Sequence, residues 1–238
     1  MNKFDFVILH FLNHCAQRSF VFDSLIVHVD ENDLLRGGAI IALYCWAWVK
    51  SAEKKDESRQ YLIFGLIAGV LSVVVARGLA LTLPFRDRPL RNPVLNFRIP
   101  YTFKQDALIG WSAFPSDHAA IYVALSVAIW FVCRRLGVIS LCYSCIFILL
   151  PRVYLGIHYP TDILAGALLG FGSAYLSKIT WLRKTVTRPA LWWLEASPAS
   201  FYSFLFLFCF EITESFGSLR QLAGFGSTAV HSVLNALR

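Results

Sequence analysis

The sequence predicts an all-α fold: a polytopic membrane helix bundle of about six transmembrane helices, with an N-terminal interfacial amphipathic segment. Three observations carry this. Of the 238 residues, 57% are hydrophobic and only 16% charged, where an ordinary soluble chain carries about 25% charge. Mean hydropathy is +0.57. The apolar residues also gather into runs near the ~20 residues that a helix needs to cross a bilayer, so the length is used up by crossings and loops, with no sizeable soluble domain beside them.

The elements follow in order. Phe4, Val7, Ile8, Phe11, Leu12 and Cys15 recur at helical spacing with Asp5, Asn13, His14 and Gln17 between them, the pattern of a helix lying in the membrane interface. Residues 20 to 30 suggest a second one. Asp5, His10, Asn13 and His14 also break the apolar stretch that a cleavable signal would need. Spans are expected at Leu34 to Lys50, Tyr61 to Leu83, His118 to Arg134, Val138 to Ile157, Thr161 to Trp181, and Phe201 to Phe216. Between the second and third lies a segment holding Pro84, Pro89, Pro93 and Pro100 with Arg86, Arg88, Arg91 and Arg98, through which no helix can run. The chain thus divides into an interfacial segment (1–33), a membrane-embedded core (34–181), and a cytoplasmic loop, sixth helix and tail (182–238).

Lysine and arginine number 22 against 15 aspartates and glutamates, a net charge of +7. These bases cluster between apolar runs rather than along one polar face, which excludes nucleic acid as a partner and suits phosphate-bearing lipids in a bilayer. Five of the six cysteines sit inside apolar runs and read as small hydrophobes, Cys142-x-x-Cys145 included. Parity of the crossings puts loop 84–117 and junction 151–160 on one side. Lys50, Lys54, Lys55, Arg59, Arg134, Arg135, Lys178, Arg183, Lys184 and Arg188 fall on the other, which the positive-inside rule makes cytoplasmic. The expected location is therefore the cell (inner) membrane, with the Pro/Arg-rich loop outside.

Three clusters meet on that outer face: Arg88-Pro89, with Arg86 close by; Phe114-Pro115-Ser116-Asp117-His118; and Arg152, His158 and Asp162. Ser116 is placed as a helix N-cap and Pro160 as a first-turn proline. Taken singly, Ser116 and Asp117 are only a cap and a first-turn acid, and either arginine could snorkel to headgroups. Three arginines, two histidines and a carboxylate gathered at membrane depth are too costly for solvation alone and point to an anion site.

On these residues the chain resembles the type 2 phosphatidic acid phosphatase superfamily. That family's signature is Lys, six residues, Arg-Pro; Pro-Ser-Gly-His; and Ser-Arg, five residues, His, three residues, Asp. It is matched here at Leu81 to Arg88-Pro89, at Pro115-Ser116-Asp117-His118, and at Pro151-Arg152 to His158 to Asp162. The Pro-Ser-Asp-His variant and the string Tyr154 to Asp162 are most similar to the bacterial undecaprenyl-diphosphatase subgroup. The resemblance implies a lipid phosphatase in which His158 attacks the terminal phosphorus, Asp162 orients its ring, and His118 protonates the leaving oxygen and later activates water. Arg88, Arg152, Ser116 and the amides around Asp117 would hold the phosphate oxygens. It implies neither metal nor cofactor, and a substrate with a phosphate or diphosphate headgroup.

Three positions depart from the signature. Leu81 replaces the lysine, and Arg77, four residues earlier on the same helical face, is the expected substitute, with Arg86 second. Asp117 replaces the glycine and Pro151 the serine. Arg86, Arg91 and Arg98 are expected to serve the second phosphoryl group of a diphosphate. The competing readings are a phosphatidate, phosphatidylglycerophosphate or lipid A phosphatase, a phosphotransferase, and a catalytically silent lipid-binding protein. A metal hydrolase built from His118, His158, Asp162 and Asp117 is disfavoured by arginines that would repel a cation. The sequence leaves the oligomeric state open.

Overall fold

The computed structural model describes residues 2–51, 55–104 and 108–214. The charged stretch 52–54 and the tail from 215, which includes the expected end of the sixth span, lie outside the described residues. Within them every regular element is helical. The helices are α1 (Lys3–Asn13), α2 (Phe20–Glu31), α3 (Ala39–Ser51), α4 (Lys55–Thr82), α5 (Asp117–Val132), α6 (Arg134–Tyr143), α7 (Leu150–Tyr154), α8 (Pro160–Tyr175), α9 (Thr180–Ala196) and α10 (Pro198–Thr213). A π-helical turn, Leu34–Gly38, joins α2 to α3, and another, Ser144–Leu149, joins α6 to α7. The second sits just before Pro151, whose missing N–H cannot complete an ordinary α-helical turn.

Helix α5 is the axis of the bundle. It is apolar on every side, and residues 118 to 129 are all buried, as expected of a helix surrounded by others. Helices α3, α4, α6 and α8 pack around it. Its contact with α8 depends on two glycines one turn apart. A Cβ on Gly166 would stand 2.1 Å from the Ser116 carbonyl oxygen, and one on Gly170 2.0 Å from that of Ala120. Small residues there let the two backbones touch, which fixes the start of α5 against the start of α8.

Two helical runs, Asp56–Thr82 and Arg134–Tyr154, are long and apolar enough to cross a membrane. A bent pair, Pro160–Lys178 with Thr180–Ala196, makes a third candidate, and the apolar α5 and α10 are shorter. By length and composition this supports two or three spans where the sequence suggested about six.

Two further expectations are corrected. The basic stretch read as cytoplasmic loop is helix α9, turned 92° from α8. Arg183, expected to be a solvated loop cation, is buried there, donates to Glu57 at 2.7 Å and to the Ser177 carbonyl at 2.8 Å, and lies over the Tyr61 ring. The N-terminal segment is helical, with its buried acidic side chains turned to the protein. Asp5, Asp23 and Asp30 are buried against the protein, while Phe4, Val7, Phe11, Phe20 and Val21 point outward. The acids turn inward because the partners they need are inside.

The helix contact yields a paired prediction. Gly170→Ala forces a methyl into a backbone carbonyl and should destabilise by about 1–3 kcal/mol. Gly172→Ala, on the same helix with nothing within 4 Å of its Cβ position, should be neutral or stabilising by up to ~1 kcal/mol. Thermal unfolding midpoints in detergent separate the two, and equal shifts would refute the close-contact account.

Candidate active site

The site forms where helix ends converge. The loop after α4, the starts of α5 and α8, and the end of α7 are laced by main-chain hydrogen bonds: Leu90 N to Gly156 O at 3.0 Å, Ala113 N to Arg86 O at 2.9 Å, and Ser116 N to Asp162 O at 3.0 Å. Arg88 adds a guanidinium that donates to the carbonyls of Ile157 (2.8 Å), Trp111 (3.2 Å) and Ser112 (3.3 Å). One buried side chain thus ties all three sequence clusters together. Burial and the neighbouring Arg152 pull the Arg88 pKa down to about 10, which leaves it cationic at neutral pH. Ser116 is the N-cap of α5, accepting from Ala119 N, and Pro160 opens α8, both as expected.

The two histidines sit in the same tautomer, with the proton on Nδ1. His158 Nδ1 lies 2.8 Å from the Ala113 carbonyl oxygen, which can only accept. The ring proton is therefore on Nδ1, and Nε2 carries the lone pair. Asp162, expected to orient this ring, is 3.8 Å from Nδ1. The nearer orienting group is the Ala113 carbonyl, which no side-chain motif could reveal. His118 reaches the same state from its other nitrogen: Arg152 Nη2, which can only donate, is 3.0 Å from its Nε2. Its proton is then on Nδ1, 3.1 Å from Asp117 Oδ1. Both imidazoles are neutral.

Asp162 is fully buried and doubly held, Oδ2 accepting from Tyr159 N at 2.7 Å and Oδ1 pairing with Arg86. Arg86 also donates to Asp5 at 2.7 Å and to Thr161 Oγ1 at 3.0 Å, and lies 4.1 Å from the centre of the Tyr159 ring. In the resting site the guanidinium of Arg86, expected among the substrate-binding residues, is shared by two buried carboxylates. Asp5, more than eighty positions away in the chain, was not foreseen. Neither was Asp30, whose Oδ1 is 3.4 Å from Arg152 Nε. Arg77 pairs with Asp117 Oδ2 and stacks on Trp111, 4.7 Å from the ring centre. The Asp117 carboxylate thus links Arg77 to His118. Among the described residues, no three His, Cys, Asp or Glu side chains are grouped to hold a metal ion.

Two neutral imidazoles gathered with the buried guanidinium groups of Arg88 and Arg152, at the head of an apolar helical bundle, make a site suited to a tetrahedral anion. Residues 59–186, just over half of the chain, match the PAP2 superfamily, and the protein belongs to that family of phosphatases. It is 27% identical over 176 residues to undecaprenyl-diphosphatase BcrC of Bacillus subtilis (strain 168), covering 74% of this chain and 82% of that one. It is 32% identical over 151 residues to "Putative undecaprenyl-diphosphatase YbjG" of Escherichia coli (strain K12), covering 63% and 69%. Bacitracin transport permease protein BcrC of Bacillus licheniformis is 26% identical over 125 residues, covering 51% and 56%. No solved structure matches the chain.

The setting of His158 generates a prediction. Burial lowers its pKa, Arg88 and Arg152 lower it further, and Asp162 acts the other way. In histidine-labelled protein its ring should titrate below the ordinary value of about 6.5. Asp162→Asn removes the group that favours imidazolium and should move the titration lower still. A rise in Asp162→Asn, seen by NMR, would contradict the assignment.

Proposed function

We propose that the protein removes the terminal phosphate of a polyprenyl diphosphate, of the undecaprenyl type, through a phosphohistidine on His158. The observation that carries this is the His158 tautomer: Nδ1 is spent on Ala113, so Nε2 presents its lone pair where Arg88 and Arg152 supply positive charge. The names of two relatives support the diphosphate. In the first step Nε2 bonds to the terminal phosphorus and the bond from that phosphorus to the bridging oxygen breaks. His118, held neutral, then takes a proton from the water that attacks the phosphohistidine, releasing phosphate and restoring His158. Asp117 orients His118 through Nδ1. Arg77, balanced by Asp117 in the resting site, stands in for the lysine replaced by Leu81 and turns to the phosphate when it arrives. No metal takes part in this scheme.

We further propose that the chain crosses the cell membrane several times, with the site outside. Support comes from the basic residues at the opposite ends of the helices, at Lys50, Arg134, Arg135 and Lys178, where the positive-inside rule favours the cytoplasm. Cysteine introduced at exposed Asn96 in a cysteine-free variant should react with an impermeant reagent in intact cells, and cysteine at exposed Asp56 should not. Equal labelling would sink the outward orientation.

The mechanism is tested with purified protein and a panel of prenyl diphosphates, phosphatidate, phosphatidylglycerophosphate and a lipid A phosphate. His158→Ala should abolish turnover and phosphoenzyme together, and His118→Ala should let phosphoenzyme accumulate by slowing its hydrolysis ~100-fold or more. EDTA should leave turnover intact. Faster hydrolysis of phosphatidate than of any prenyl diphosphate would overturn the substrate assignment, and full activity in His158→Ala would overturn the nucleophile.

A further inference from the structure

The sequence looked for cations serving a second phosphoryl group in the proline-rich loop, and Arg86 is taken up there by Asp5 and Asp162. A different arginine stands beside the site. Arg36 lies in the π-turn Leu34–Gly38, outside the stretch that matches the family. The turn meets α5 through the side chain of Tyr122. A Cβ on Gly37 would stand 2.6 Å from the Tyr122 hydroxyl, and the Tyr122 ring is 6.1 Å from that of His118. On its other side Tyr143 donates to the Leu35 carbonyl at 2.5 Å. Arg36 and Arg152 both meet Asp30, and Arg152 in turn donates to His118 Nε2.

Its guanidinium is aimed but only partly used. Nη1 donates to the Asp30 carbonyl at 3.1 Å, and Nη2 pairs with Asp33. Nε is buried without a partner, and so is Arg152 Nε, which faces Asp30 at 3.4 Å without bonding to it. Asp30 therefore sits between two arginines, and each leaves a buried donor open. Buried N–H groups without partners are uncommon and call for an explanation. A doubly charged group arriving beside His118 would supply one.

The state of His118 says what that group is. Its Nε2 accepts from Arg152, so in the resting site it has no proton to give to a leaving oxygen. An alkoxide leaving from a monoester needs that proton. A phosphate leaving from a diphosphate does not, provided cations take up its charge. We propose that Arg36 binds the phosphoryl group that leaves, so that the α2–α3 turn makes the site selective for diphosphates over monoesters. As the bond from the terminal phosphorus to the bridging oxygen breaks, its electron pair stays on that oxygen. Arg36 and Arg152 stabilise the new dianion, which departs as the prenyl monophosphate while the terminal phosphoryl group stays on His158. This rests on the reading of His158 as nucleophile.

The test compares farnesyl diphosphate with farnesyl phosphate on the full-length protein in detergent, for the wild type, Arg36→Ala, Arg36→Lys and His158→Ala. The wild type should favour the diphosphate. Arg36→Ala should lower kcat/KM for the diphosphate by ~10- to 100-fold, chiefly in kcat, and that for the monophosphate by less than ~3-fold. Arg36→Lys, which keeps the charge and loses the fork, should fall between, and it serves as the reading if the alanine variant does not fold. Inorganic pyrophosphate should inhibit the wild type more strongly than inorganic phosphate, and this margin should shrink in either variant. Equal losses on both substrates, or an unchanged ratio, would overturn the role of Arg36 and leave His158 untouched. Turnover surviving in His158→Ala would overturn the mechanism itself.

Discussion

Loop carbonyls buried inside a protein must find donors, since each one left bare costs a few kcal/mol at about the scale of a lost hydrogen bond. At the head of this bundle two separated stretches of irregular backbone meet the loop that carries Arg88, and its guanidinium answers for both, bonding Trp111, Ser112 and Ile157 at once. Everything else in the site is placed relative to that guanidinium. Ala113 follows Ser112 and holds His158. His158 follows Ile157. Ser116 starts the helix that carries His118 and is tied in turn to Asp162. A residue expected to hold phosphate is, in the resting protein, first a brace for the loops that carry the histidines.

Around this brace lies a shell of ion pairs, half of whose acids come from outside the motifs. Asp5 and Asp162 share Arg86, Asp30 faces Arg152, and Asp117 faces Arg77. An arginine with no counter-ion in a poorly hydrated site would carry a large desolvation penalty. Pairing removes most of it, and it also fixes each guanidinium before substrate arrives, so less ordering is required on binding. The two N-terminal helices are thus part of the site's construction. Their outward faces are apolar because the protein's surroundings are, and their acids point inward because that is where the arginines are.

This arrangement explains which parts of the sequence could be read. Ser116 and Pro160 were legible because capping and first-turn proline are local rules with local residue types. Arg88, His118, Arg152 and His158 were legible because their spacing carried the family pattern. Asp5 and Asp30 were not, because an isolated amphipathic helix says only that it has two faces, not which one is turned to the protein. The Ala113 carbonyl was beyond reach for another reason: it is a backbone atom of a residue with no chemistry of its own, placed by the pairing of Ala113 N with Arg86 O. Helix α9 was missed because basic residues were counted as loop, although Leu182, Val186 and Trp193 return at helical intervals on either side of Arg183.

The pairings also bear on how a phosphate is accepted. In the resting site each of Arg77 and Arg152 faces a carboxylate and, directly or through it, His118. An incoming phosphate offers more charge and more acceptor oxygens than either aspartate, so it can draw both guanidinium groups while Asp117 stays on the His118 ring by its other oxygen. Arg152 letting go of Nε2 would be the decisive change. That contact holds the lone pair of His118 occupied in the absence of substrate, and in the proposed mechanism releasing it would free the same lone pair to receive a proton from water once the phosphoryl group is on His158. Under the proposed mechanism two of the three departures from the family pattern then belong together: where Leu81 has replaced the lysine, Asp117 neutralises Arg77 at rest and would keep the second histidine in the tautomer that hydrolysis requires.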